Sequence, residues 1–94
     1  MNMLEEYRTL DKSYLVDYVD GPDVKRLVWA FNNGWGVSMA MTRRSAIPEA
    51  AVIKVSSLEP LDYTVSYDSP ITTDTVPVSC RTEAVQLFNL VKRL

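Results

Sequence analysis

The sequence predicts a single α+β domain: an antiparallel sheet of four to five strands with a C-terminal amphipathic helix packed on one face. Three observations lead there. Asn33-Gly34 stands between two apolar runs, the strongest short-range signal for a hairpin. Trp35, Val37, Met39 and Met41 alternate with Gly36, Ser38 and Ala40, the period of a strand. Ala84, Leu87, Phe88, Val91 and Leu94 recur at the spacing of one helix face.

The elements follow in order. Leu4, Tyr7 and Leu10 fall three apart and predict a short N-terminal helical turn. Ser13 to Val19 is rich in β-formers and reads as a strand, closed by the turn Asp20-Gly21-Pro22-Asp23. Val24 to Phe31 is the next strand. A type I′ turn at Asn33-Gly34 leads into its partner, Trp35 to Met41. The small residues Gly36, Ser38 and Ala40 predict close approach of a helix or another backbone on their face. Thr42 to Glu49 reads as a loop. Ala50 to Val55 is almost wholly apolar and predicts a central strand covered on both faces. Ser56 to Pro60 reads as a loop and Asp62 to Tyr67 as a further strand. Ile71 to Val78, interrupted by Pro77, is an ordered connection with room for a short edge pairing. Ser79 is the expected cap of the last helix, with Glu83 in its first turn and Lys92 and Arg93 in its last, where their charges suit the helix dipole. The chain thus divides into an acidic N-terminal extension at 1–23, the sheet at 24–78 and the helix at 79–94.

Composition bounds the chemistry. The 94 residues are 47% hydrophobic and 23% charged, with net charge −2, as expected of one globular domain. There is no histidine, and Cys80 is the one cysteine. That excludes a histidine-activated nucleophile, an internal disulfide and a Cys/His zinc site. Asp62, Asp68 and Asp74 recur at a spacing of six without a phosphate loop or nucleophile motif, so turn-forming roles are favoured over catalysis. The expectation is a protein without enzymatic activity, cofactor or metal. The first residues lack the basic start and apolar run of a signal peptide, and no stretch is apolar enough to span a membrane, which predicts a cytoplasmic protein.

Charge is uneven. Residues 1–23 carry net −4 and residues 24–94 net +2. The favoured reading is internal pairing between the two; an acidic surface imitating nucleic-acid phosphates is the alternative.

The order Asn33-Gly34-Trp35-Gly36-Val37-Ser38-Met39, then Glu49-Ala50-Ala51-Val52-Ile53-Lys54, then Tyr67-Asp68-Ser69-Pro70-Ile71-Thr72 with Asp74 and Val76, resembles a group of small bacteriophage-encoded proteins. These share an NGYGxSV hairpin, an EVAVL-like strand and a YDTPITDDV segment before a C-terminal helix. The resemblance covers about residues 27–94 and implies a phage or prophage origin and a compact α+β fold. Pro48 stands where the group usually has an aromatic residue, and the N-terminal 26 residues have no counterpart.

Candidate partner-binding residues are Trp35, Arg43, Arg44, Tyr14, Tyr18, Tyr63 and Tyr67. Arginine, tryptophan and tyrosine dominate interface hot spots. Paired guanidinium groups clamp carboxylate or phosphate. One helix leaves the other sheet face open, and the four tyrosines are expected to furnish it or a homodimer interface. The expected function is protein–protein binding by a small phage accessory protein that inhibits a host or defence protein, such as an anti-CRISPR. A nucleic-acid-associated role through Arg43, Arg44 and the sheet aromatics, and a virion assembly role, remain as alternatives.

Overall fold

The computed structural model describes residues 3–44, 46–71 and 74–94. Met1-Asn2, Ser45 and the Thr72-Thr73 part of the expected connection lie outside the described residues. A 3-10 helix, Met3–Thr9, and a second short one, Lys12–Tyr14, lead into β1 (Leu15–Asp20), β2 (Val24–Ala30), β3 (Trp35–Thr42), β4 (Glu49–Leu58), β5 (Leu61–Val65), β6 (Val76–Pro77) and α1 (Arg81–Lys92). The first five strands form an antiparallel meander in the order β1-β2-β3-β4-β5. β6 pairs with the start of β4, Glu49 opposite Pro77 and Ala50 opposite Val76, which is the short edge pairing expected of the connection. The α+β architecture is therefore the one the sequence predicts.

Register explains the core. Leu27 lies opposite Met39 and Trp29 opposite Val37; Val37 in turn faces Val52, and Met39 faces Ala50. These side chains share one sheet face, and Ala84, Leu87, Phe88 and Val91 of α1 close over them. Trp29 packs on Phe88 at 4.7 Å between ring centroids, and Phe31 meets Phe88 edge-on at 5.8 Å. The Trp29 indole N–H donates to the Leu10 carbonyl at 2.8 Å, which satisfies a polar group buried with its ring. Leu4 and Tyr7 are buried in the same cluster. Residues 1–23, expected as an extension, thus supply two core side chains and an edge strand.

Several expectations are corrected. The β2–β3 turn is not type I′, because only Gly34 has positive φ, at 82°. Phe31 N–H bonds to the Trp35 carbonyl and Gly34 N–H to that of Phe31, so Asn32-Asn33-Gly34 form a three-residue loop closed by a left-handed glycine. Asn33 then has a different task. Its amide donates to the Val91 carbonyl at 2.9 Å, filling one of the carbonyls a helix C-terminus leaves open, and its Oδ1 accepts from Trp35 N–H. Ser56 to Leu58, read as loop, continue β4 through a bulge, and Leu58 pairs with Leu61 across Glu59-Pro60. Strand β5 ends at Val65 rather than Tyr67. Cys80, not Ser79, is the N-cap of α1, and no side chain of its own caps the helix. Glu83 reaches back instead and accepts from the N–H of Ser79, the residue before the cap, at 3.0 Å.

The helix also lies on the opposite side of β3 from the small residues. The close approach at Gly36 comes from the neighbouring strand, since a Cβ there would stand 2.1 Å from the Trp29 carbonyl oxygen and 3.2 Å from the Ala30 Cα. Overpacking against backbone has no flexible side chain to absorb it. Gly36→Ala is expected to lower stability by about 3 kcal/mol in urea unfolding, at the upper end of overpacking costs. Gly21→Ala, whose Cβ would meet only the Val24 carbonyl oxygen at 3.1 Å, is expected to cost less than about 1 kcal/mol in the same measurement.

Candidate partner-binding surface

The predicted site residues do not converge. Tyr14 is half-buried beside α1, edge-on to Phe31 at 5.3 Å, with the Lys92 ammonium 5.3 Å from its ring. Tyr18 lies opposite Leu27, on the helix side of the sheet. Its hydroxyl donates to Glu5 at 2.8 Å, and the Arg8 guanidinium stacks over its ring at 4.1 Å. Both tyrosines therefore fasten the N-terminal segment to the core. The sheet face away from α1 is not open along its middle as expected, since Val28 and Ile53 on it are fully buried. Tyr63 is on that face, opposite Val55, and Tyr67 is exposed just past β5. The expected tyrosine surface splits into two pairs because the bulge at Val16 and the pairing with β2 turn Tyr18 inward.

Trp35 is half-buried against the core, with the Lys54 ammonium 4.6 Å above its ring. Arg43 donates through Nε to the Pro22 carbonyl and pairs with Asp23 at 3.0 Å, so it stands over the β1–β2 turn. Arg44 is exposed beside it. Trp35 opens β3 and Arg43 follows its last residue, roughly 25 Å away at the rise of an extended strand. An aromatic platform bordered by these arginines does not form.

The N-terminal acids pair internally, as the charge split suggested. Asp11 bonds Lys92 at 2.8 Å, Asp17 lies 3.7 Å from Arg26, Asp20 pairs with Lys25 and Asp23 with Arg43. Glu5 pairs with Arg8 at 2.6 Å. Of the six N-terminal acids only Glu6 enters none of these pairs, and most of the other unpaired acids lie elsewhere. Residues 46–80 hold five acids and one base, Lys54. Glu59, Asp62 and Asp68 enter none of the five ion pairs among the described residues. Asp62 and Asp68 accept from the hydroxyls of Ser56 and Ser66. Among the described residues no three carboxylate or thiol groups gather into a metal site.

These acids border the sheet edge that differs most from its counterpart. The β1 edge is blunted by the Val16 bulge, by Asp17 and Asp20, and by the Glu5–Arg8 pair laid over Tyr18. The β5 edge carries Asp62, which enters none of the five ion pairs among the described residues, and its bulge lies on β4 rather than on the edge strand. Ser66 N–H bonds to the Val52 carbonyl at 2.8 Å, which sets the ladder so that Thr64 and Ser66 exchange bonds with β4. Alternation then points the backbone groups of Leu61, Tyr63 and Val65 away from β4, and no strand among the described residues pairs with β5 on that side. Exposed apolar side chains flank this edge: Leu58 at 61%, Tyr67 at 59% and Val65 at 37%. Leu58 and Val65 escape sequence reasoning. The available signal was the apolar pair Leu58 and Leu61 bracketing Glu59-Pro60, a hairpin pattern hidden by the polar Ser56-Ser57.

Comparison with protein-family models, curated proteins and solved structures finds no match to this chain. No helix among the described residues is long and apolar enough to cross a membrane.

The Glu5 contact has a pH signature. The Arg8 guanidinium, and then the Tyr18 hydroxyl, hold its carboxyl below the ordinary value of 4.5. Asp20 is held low in the same way, first by Lys25. A carboxyl with a depressed folded pKa contributes stability that is complete above the ordinary value and lost as pH falls through the folded one. Glu5→Gln is therefore expected to melt below wild type at neutral pH, and the two melting temperatures are expected to converge as pH falls below 4.5 and through the lowered folded pKa. Circular dichroism melts across that range check the sign.

Proposed function

We propose that the chain acts by binding another protein along the β5 edge of its sheet, as a small phage accessory protein that occludes a host or defence protein. The observation that carries this reading is the asymmetry of the two edges. One carries the Val16 bulge, the paired Asp17 and Asp20, and Glu5 and Arg8 on Tyr18. The other presents the outward backbone groups of Leu61, Tyr63 and Val65 beside exposed Leu58 and Tyr67. A free edge of this kind gives affinity through main-chain hydrogen bonds and specificity through alternate side chains. The likeness to small phage proteins supports the phage setting, and inhibition of a defence system such as CRISPR is the role in which simple occlusion suffices. The mode of action is steric: the bound chain covers a surface the partner needs.

An affinity pull-down from nuclease-treated bacterial lysate, read by mass spectrometry, tests the reading. One stoichiometric protein is expected to survive nuclease treatment. Its recovery is expected to fall about tenfold with Leu58→Ser/Tyr67→Ser, the loss of one or two hot-spot contacts. Arg43→Glu/Arg44→Glu is expected to leave it unchanged. Recovery that disappears with nuclease, or that follows the arginines and ignores the β5 edge, sinks this proposal in favour of a nucleic-acid-associated role.

A further inference from the structure

The partner's chemistry can be taken further, and this step rests on the protein-binding reading above. We infer that the β5 edge receives an extended basic segment, one in which lysine or arginine alternates with apolar residues. The register dictates the alternation. Tyr63 and Val65 lie opposite Val55 and Ile53, on the sheet face away from α1, with Leu61 two residues on in the same strand. Asp62 and Thr64 point to the other face, and Thr64 lies opposite Lys54. A strand added to this edge sets its own side chains directly beside those of β5, face for face. Residues beside Leu61, Tyr63 and Val65 enter an apolar row. The residue beside Asp62 meets a carboxylate that has no ion-pair partner among the described residues.

Charge at the two ends of the edge points the same way. Glu59 stands at the β4–β5 turn and Asp68 just beyond the strand, and both are exposed. Lys54, the one base in this stretch of sequence, is held over the Trp35 ring on the neighbouring strand. A second copy of the chain would bring another Glu59, Asp62 and Asp68 to the same edge. A basic strand complements those three acids, and a second copy only adds to them.

The test uses the whole chain and synthetic peptides of about seven residues, the length of an ordinary strand. One peptide alternates valine with lysine, a second alternates valine with glutamate, and a third is the lysine peptide N-methylated at alternate amides. Fluorescence anisotropy at low salt is expected to show the lysine peptide binding at least about tenfold more tightly than the glutamate peptide, with the gap narrowing as salt rises. N-methylation in the register that faces β5 is expected to abolish binding, with no change to the protein. Val65→Pro removes an outward N–H and no bond to β4, so it is expected to lose the peptide while keeping its unfolding midpoint. Asp62→Lys is expected to shrink or reverse the charge preference.

Equal binding of the two charged peptides, or binding indifferent to N-methylation, overturns the inference. So does sedimentation of the free chain as a dimer that Val65→Pro dissolves, which assigns the edge to a second copy. These outcomes are separable from failure of the broader reading. A lysate partner lost with Leu58→Ser/Tyr67→Ser beside peptides that show no charge preference keeps the protein-binding role and discards the basic strand.

Discussion

The indole of Trp29 joins three parts of the chain that are distant in sequence. Its ring lies on Phe88 of the C-terminal helix, its strand partners are Leu15 and Val37, and its N–H holds the Leu10 carbonyl. Aromatic contact at this distance requires the helix to cross the sheet at β2 and β3. The hydrogen bond in turn requires the N-terminal 3-10 segment to come down beside the helix. Sheet, helix and N-terminus are therefore positioned by one residue. The outer arrangement follows from it: with the N-terminus fixed there, Glu5 and Arg8 lie against Tyr18 of the first edge strand.

The same placement disposes of the charge imbalance. The N-terminal acids look like a potential surface for mimicry only while the segment is read as an appendage. Folded back, Asp11, Asp17, Asp20 and Asp23 each meet a base from the remainder of the chain. These are exposed or half-exposed pairs, and each contributes little to stability. Their larger effect is on the surface field. Neutralising most of the first 23 residues leaves Glu59, Asp62 and Asp68 around β5 as the largest group of acids outside the ion pairs among the described residues.

Much of the fold was legible in the residues. The alternation in β3, the apolar run of β4 and the helical spacing after Ser79 each reflect burial against a partner, and burial leaves a periodic trace. What was hidden depends on geometry without a periodic trace. Asn33-Gly34 suits either a two-residue or a three-residue hairpin loop, and the choice lies in the φ of Asn33, whose side chain is drawn to the end of α1. Ser56 and Ser57 read as loop because a bulge breaks their alternation. The candidate site was the least legible part. Tyr14 and Tyr18 have the composition of a contact surface and serve as fasteners, whereas Val65 acquires its exposure from lying in the last strand of the meander and Leu58 from the turn that leads into it, and strand order is not written in local pattern.

A sheet guarded along β1 and open along β5 favours a valency of one. Two open edges would let each molecule be both acceptor and donor, and head-to-tail addition of identical copies would then continue into a filament. At the first edge the Val16 bulge interrupts the ladder, and the paired Asp17 and Asp20 disfavour an incoming strand. Addition through the backbone is thereby directed to β5 and towards a discrete complex. A single extra residue in β1 is, in that sense, what keeps an otherwise extendable sheet short.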